Sequence, residues 1–190
     1  MTRLRKTTAT GQKRLHRRRW RDKEAARPSH NDLLDAAQEE ARADGKSLTR
    51  IRRHVLATLL RAEKPMTAYE VLDALEGVGS ISPPTAYRAL DFLIHLGYVK
   101  RVESLNAYIA LDLGPSDGPI VLFVCESCGG VKEIEASHAI SSLLQAVANA
   151  GMKANQAAFE IRGQCAGTLS CMGQTQMGHE AGKAIDVDAV

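Results

Sequence analysis

From residue 29 onward, apolar side chains recur at helical spacing in four consecutive segments. SHNDLLDAAQEEARADG places Leu33, Leu34, Ala37 and Ala41 on one face, with Ser29 or Asn31 available as cap and Gly45 as stop. SLTRIRRHVLATLLRAE turns Ile51, Val55, Leu56, Leu59 and Leu60 inward and meets Pro65. TAYEVLDALEG begins with a capping box, Thr67 with Glu70, and Gly77 closes it. SISPPTAYRALDFLIHLG has Ser82 as cap and Pro83 at the first helical position, where a missing N–H costs nothing. Its buried stripe is Ala86, Leu90, Leu93 and Ile94, and Gly97 ends it. The period then changes. YVKRVES and NAYIALD alternate as two short strands around a turn near Leu105–Asn106. A leading helix, three helices and a hairpin in this order predict a winged helix-turn-helix.

GPSDGP, residues 114–119, is a strong breaker and divides the chain. Beyond it IVLFVC and GVKEIE read as strands, HAISSLLQAVANAG as a helix with Ile140, Leu143, Leu144 and Val147 on one face, and QAAFEIRG as a last strand. The fold class is α+β: an N-terminal winged-helix DNA-binding domain at 29–113, a hinge at 114–119, and a small α/β domain at 120–172. A unit of about fifty residues buries too little core to stand alone, so it calls for a metal, a partner subunit, or both. Residues 173–190 are polar and glycine-rich and read as a flexible tail.

Charge adds a further segment. Residues 1–28 carry eleven basic and two acidic side chains, a net +9, whereas the remainder of the chain is at −6. With no apolar periodicity, this stretch reads as a disordered basic arm. It suits either polyanion binding or mere solvation. No run of apolar residues is long enough to span a bilayer, and no apolar stretch follows the basic start as in a secretory signal. The expectation is a cytoplasmic protein, with its cysteines reduced.

The chemistry on offer is of two kinds. In the predicted recognition helix the exposed residues of the first turn are Thr85, Tyr87 and Arg88. Arginine can bond guanine O6 and N7 together, and tyrosine can reach a thymine methyl or a phosphate. Arg50, Arg52 and Arg53 open the second helix, and Lys100 and Arg101 lie on the wing. These suit backbone phosphates, which give affinity without sequence information. CESCGG, Cys125–Gly130, follows a strand rather than opening a helix. That is poor context for a redox pair and good context for a zinc knuckle, with glycine-permitted backbone N–H groups aimed at thiolate. Cys165 and Cys171 form the second pair, with five residues between them where two to four are usual. A four-cysteine structural Zn²⁺ site, three cysteines plus His179, and a free Cys171 all remain open on spacing alone. None of the six histidines forms an HExxH or other paired-ligand spacing, and the reading is not an enzyme.

PPTAYRALDFL, TAYEVLDAL, CESCGGVKEIE and a cysteine pair after FEIRG, in this order, resemble the ferric uptake regulator family, and its zinc uptake regulator branch most nearly. The resemblance covers about residues 30–171. It implies a homodimeric, zinc-responsive repressor of zinc-uptake genes that binds AT-rich palindromic operators in double-stranded DNA. It puts the family's DNA-contacting residues on Tyr87, Arg88 and Tyr69, and its structural zinc on Cys125, Cys128, Cys165 and Cys171. The family's regulatory metal site uses two histidines, a cysteine and a glutamate. Here those positions hold Lys100, Gly118, Leu111 and Glu133, so only Glu133 matches. Asp112, Asp117 and His95 are the nearby substitutes. A repressor whose zinc is only structural, constitutive or responsive to thiol oxidation, is the alternative that this departure raises.

Overall fold

The computed structural model describes residues 28–79, 81–115, 120–154 and 157–165. The basic arm before Pro28, part of the hinge, Cys171, His179 and the tail lie outside the described residues.

Helix α1, His30–Ala43, starts at Ser29 in a closed capping box: Asp32 N–H donates to Ser29 Oγ at 3.2 Å and Ser29 N–H to the Asp32 carboxylate at 2.9 Å. α2, Arg50–Arg61, buries Val55, Leu56, Leu59 and Leu60 against it. α3, Ala68–Asp73, opens with the Thr67–Glu70 box and is shorter than the pattern predicts. The chain already passes into turns before Gly77. α4, Pro83–Leu96, buries Ala86, Ala89, Leu90, Phe92, Leu93 and Leu96. That stripe is wider than the predicted one, and Ile94 sits at its edge. Gly97 takes a left-handed φ of 88°, and Tyr98 N–H donates back to the Leu93 carbonyl at 3.1 Å, which closes the helix.

The wing follows at once. β1, Val99–Val102, pairs antiparallel with β2, Ala107–Ala110, around a 3₁₀ turn at Glu103–Leu105. Asn106 closes the turn with a φ of 48°, a conformation that asparagine tolerates better than most residues. Met66 pairs with Tyr108 on the free side of β2 and ties the wing to the start of α3. One core of α1–α4 and the wing holds this domain.

The second domain has a three-stranded sheet in the order β4-β3-β5. β3, Ile120–Cys125, is central, with β4, Val131–Glu135, antiparallel on one side. β5, Glu160–Gly163, runs parallel on the other. α5, Ser137–Asn149, crosses between β4 and β5. Its apolar face is mostly uncovered: Ile140 is buried, but Leu143 is 52% exposed. Ile134 and Ile161 on the sheet are exposed as well. A second apolar cluster, Val102, Leu111, Ile120, Leu122 and Val124, spans the wing and β3. No helix of the described residues is long and apolar enough to cross a membrane.

Candidate metal centre and nucleic-acid interface

Cys125 ends β3, and the chain reverses at once. Gly129 N–H bonds the Cys125 carbonyl at 2.9 Å, and Cys125 N–H bonds the Gly130 carbonyl at 2.9 Å. Gly129 holds a φ of 71°, where a side chain would strain the backbone. Gly130 N–H points at Cys128 Sγ, 3.4 Å away, and a Cβ on Gly130 would stand only 3.3 Å from the same sulfur. Both glycines therefore shape the knuckle. Cys165 arrives from β5, which is pinned beside the turn by Glu126 N–H to the Gly163 carbonyl at 2.8 Å and by Arg162 to Glu126 at 3.0 Å.

The sulfurs of Cys125, Cys128 and Cys165 lie within 4.8 Å of one another, the one such group of metal-binding side chains among the described residues. None of the three is in a disulfide. A tetrahedral Zn²⁺ with bonds of about 2.3 Å needs sulfurs about 3.8 Å apart, so the trio fits three corners of a zinc site. The electrostatics agree. Amide N–H groups of Cys128 and Cys165, then the Cys165 thiol and the Ser127 amide, outweigh burial and bring the Cys125 thiol down to about 6. A thiolate is the form a metal binds. Cys171, the expected fourth ligand, and His179, its alternative, lie outside the described residues.

On the winged domain, Tyr87 (41% exposed) and Arg88 stand out from the first turns of α4, and Tyr69 (65% exposed) stands out from α3. Thr85 is half-buried, with its Oγ1 2.9 Å from Ser82 Oγ, so Ser82 spends its hydroxyl there rather than capping the helix. Lys100 is exposed on β1. Arg101 is exposed too but braces the wing turn, through Asn106 Oδ1 at 2.8 Å and Glu103 at 3.3 Å.

Arg53 requires a correction. It is 4% exposed and its guanidinium bonds Asp35 of α1 at 3.2 Å, so it is a structural strut and not a phosphate clamp. Its neighbour Arg52 is half-buried, donates to the Ser47 carbonyl at 2.6 Å and lies 3.6 Å over the Phe92 ring. Stacking and that bond hold it inward.

The hinge departs from a metal site in a definite way. Leu111 is 1% exposed inside the second apolar cluster. Lys100 points outward on β1, opposite Ile109 in register. Glu133 is half-buried on β4, opposite Leu122. Asp112 and His95 are exposed, and Asp117 and Gly118 lie outside the described residues. Packed hydrocarbon stands where the resemblance places the regulatory cysteine. One contact between the sheet and the wing was missed by sequence reasoning altogether. Glu160, from β5, reaches the tip of the wing, and its partners are 56 or more positions away in the chain.

A winged helix joined to a small sheet domain that gathers cysteines defines a metal-dependent DNA-binding regulator as a class. The comparisons make that particular. The model of the ferric uptake regulator family matches residues 43–162. The zinc uptake regulation protein of Escherichia coli (strain K12) is 32% identical over 157 residues, 78% of this chain and 90% of that protein. Among solved structures, a zinc uptake regulator complexed with zinc and DNA superposes with a TM-score of 0.67 at 32% identity, over 73% of this chain and 94% of that one. Holo XcZur gives 0.66 at 33%, over 72% and 96%. The chain belongs to the ferric uptake regulator family.

Proposed function

We propose that this protein is a zinc-responsive, DNA-binding transcriptional repressor that controls zinc-uptake genes and acts as a homodimer. The observation that carries the reading is the pairing, in one chain, of a winged helix presenting Tyr87 and Arg88 with a three-thiol cluster of zinc dimensions. Relatives of similar length, one solved with zinc and DNA together, support it.

The N-terminal end of α4 enters the major groove. Arg88 reads a base edge there, Tyr87 packs beside it, and Thr85 and Tyr69 approach from the flanks. Lys100 on the wing meets backbone phosphate. The operator is an AT-rich palindrome, matching the two-fold symmetry of a dimer. Second copies meet through the uncovered faces of α5 and the sheet, where Leu143, Ile134 and Ile161 are exposed. Cys125, Cys128 and Cys165, with Cys171 as fourth ligand, hold the zinc, which supplies a four-coordinate crosslink between the ends of β3 and β5. The protein performs no catalysis and works in the cytoplasm, where thiols stay reduced.

Operator affinity measured against buffered free zinc, with bound metal counted per subunit at each point, tests this. A rise in affinity that tracks zinc binding is expected. Affinity that stays flat while zinc loads would refute zinc responsiveness, and absence of any sequence preference would refute the repressor reading itself.

A further inference from the structure

Arg52 joins three parts of the winged domain with one side chain. It stands in the first turn of α2, its guanidinium donates to the Ser47 carbonyl in the α1–α2 connection at 2.6 Å, and its Cζ lies 3.6 Å from the centre of the Phe92 ring on α4. This is an unfavourable place for a cation. The N-terminal end of a helix carries partial positive charge, and α2 has neither an acidic residue in its first turn nor a side-chain cap from Thr49 to offset it. The carbonyl and the electron-rich face of the ring supply the compensation that the helix itself lacks.

The grip falls where α4 reads DNA. Phe92 follows Arg88 by one turn, on the flank of the helix that leads into the face proposed to enter the major groove. Leu90 and Leu93 hold the inner side of α4 in the core. Phe92, buried, lies at the border between that side and Arg88, and Arg52 covers it from α2. Leucine contacts are non-directional, so they resist separation of the helices better than a roll of one of them. A roll of about 10° moves a group at the side-chain radius of about 5–6 Å by about 1 Å. Recognition geometry tolerates only about 0.5 Å. A guanidinium that is both stacked and hydrogen-bonded is directional, and it resists that roll.

From these contacts we infer that Arg52 is a positioning residue: through Phe92 it sets the rotation of α4, and so the aim of Arg88, without touching DNA itself. This inference rests on the DNA-reading function proposed above and names what gives it precision.

The test uses the full-length, zinc-loaded protein and a duplex that the unaltered protein selects from a randomised pool, with single base-pair variants of that duplex. Affinities are measured across a salt series. The base pair that Arg88→Ala ceases to discriminate is the one to follow. Arg52→Ala should cut discrimination there about fivefold, the lower end of what one bidentate pair supplies, and leave the log–log salt slope unchanged. Arg52→Lys keeps the charge but has no planar group to stack, so it should show the same loss. It carries the test alone should Arg52→Ala fold poorly. Phe92→Leu keeps apolar bulk and removes the ring. It should match Arg52→Ala, and the two changes together should be no worse than either alone. A slope shallower by about 0.9 in Arg52→Ala, with discrimination kept by Arg52→Lys, would make Arg52 a phosphate contact and overturn the inference. Unchanged discrimination beside a lowered thermal midpoint would overturn it as well, since a purely structural contact behaves that way. Additive losses in the double variant would do the same. If instead the unaltered protein selects no sequence from the pool, the DNA-reading function falls, and the positioning role falls with it.

Discussion

Leu111→Ala probes the seam between the domains. Leu111 is 1% exposed and packs among Val102, Ile120, Leu122 and Val124, side chains from two separate stretches of chain. Its backbone is fixed independently, by its N–H to the Tyr98 carbonyl at 2.9 Å and by Gly114 N–H to its own carbonyl at 3.0 Å. The truncated side chain therefore leaves a cavity rather than letting the loop collapse. Leucine-to-alanine changes at such sites cost about 2–5 kcal/mol. With a loss near the middle, about 3 kcal/mol, and a urea dependence of about 2 kcal/mol per molar, the unfolding midpoint falls by about 1.5 M. Far-UV circular dichroism is the signal to follow, because the sole tryptophan, Trp20, belongs to the basic arm, outside the described residues. Leu111→Met, which conserves volume, should cost less than about 1.5 kcal/mol. A Leu111→Ala protein within about 0.5 kcal/mol of the parent would show that this position is not packed between the domains, a cost typical of an exposed site.

Three other outcomes are expected. Arg88→Ala should lose about 1–3 kcal/mol of operator affinity and relax the preference at one base pair, with an unchanged thermal midpoint; unchanged discrimination would remove Arg88 from base reading. Thr67→Ala should cost about 1 kcal/mol by thermal denaturation. The amide and hydroxyl of Thr67 hold the Glu70 carboxyl below its ordinary 4.5. The reciprocal bond is thus fully present above that pH and lost as pH falls through the lower folded value, so the gap between the two proteins should narrow in acid; a gap independent of pH would count against the box. Deleting residues 1–27, which hold all eleven basic side chains of the arm, should flatten the salt dependence of DNA affinity by several units of log–log slope. Equal slopes would leave the arm as a solvated extension.

The local features were legible because their causes are local. Thr67 and Glu70 act over three residues, and their capping box forms as expected, while of the two caps offered for α1 it is Ser29 that closes a box, with Asp32. Pro83 and Gly97 mark the two ends of α4 for the same reason. The cysteine knuckle could be foreseen because its shape depends on two adjacent glycines and the strand before it. What escaped depends on distant partners. Arg53 looks like any other arginine at a helix start until α1 brings Asp35 against it. The helical period shows that α5 has an apolar face, but not that one chain leaves Leu143 open. Glu160 sits in an unremarkable alternating strand, and only the tertiary fold carries it to the wing.

The winged domain and the sheet domain touch along two seams, one apolar and one at Glu160, and these have different parts to play. The apolar contact at Leu111 is non-directional and has no ligand to gain or lose, so it contributes the same with or without zinc. A constant contribution biases an equilibrium but cannot switch it, because a signal shifts a population only through a difference between its states. The Glu160 contact is of the other kind, a pair of directional bonds from two backbone amides to a charged acceptor. Bonds to a charged acceptor contribute about 1.5–3 kcal/mol, a shift of about ten- to a hundredfold in the balance between docked and undocked wing. That range is wide enough for regulation provided the apolar seam leaves the two arrangements close in free energy.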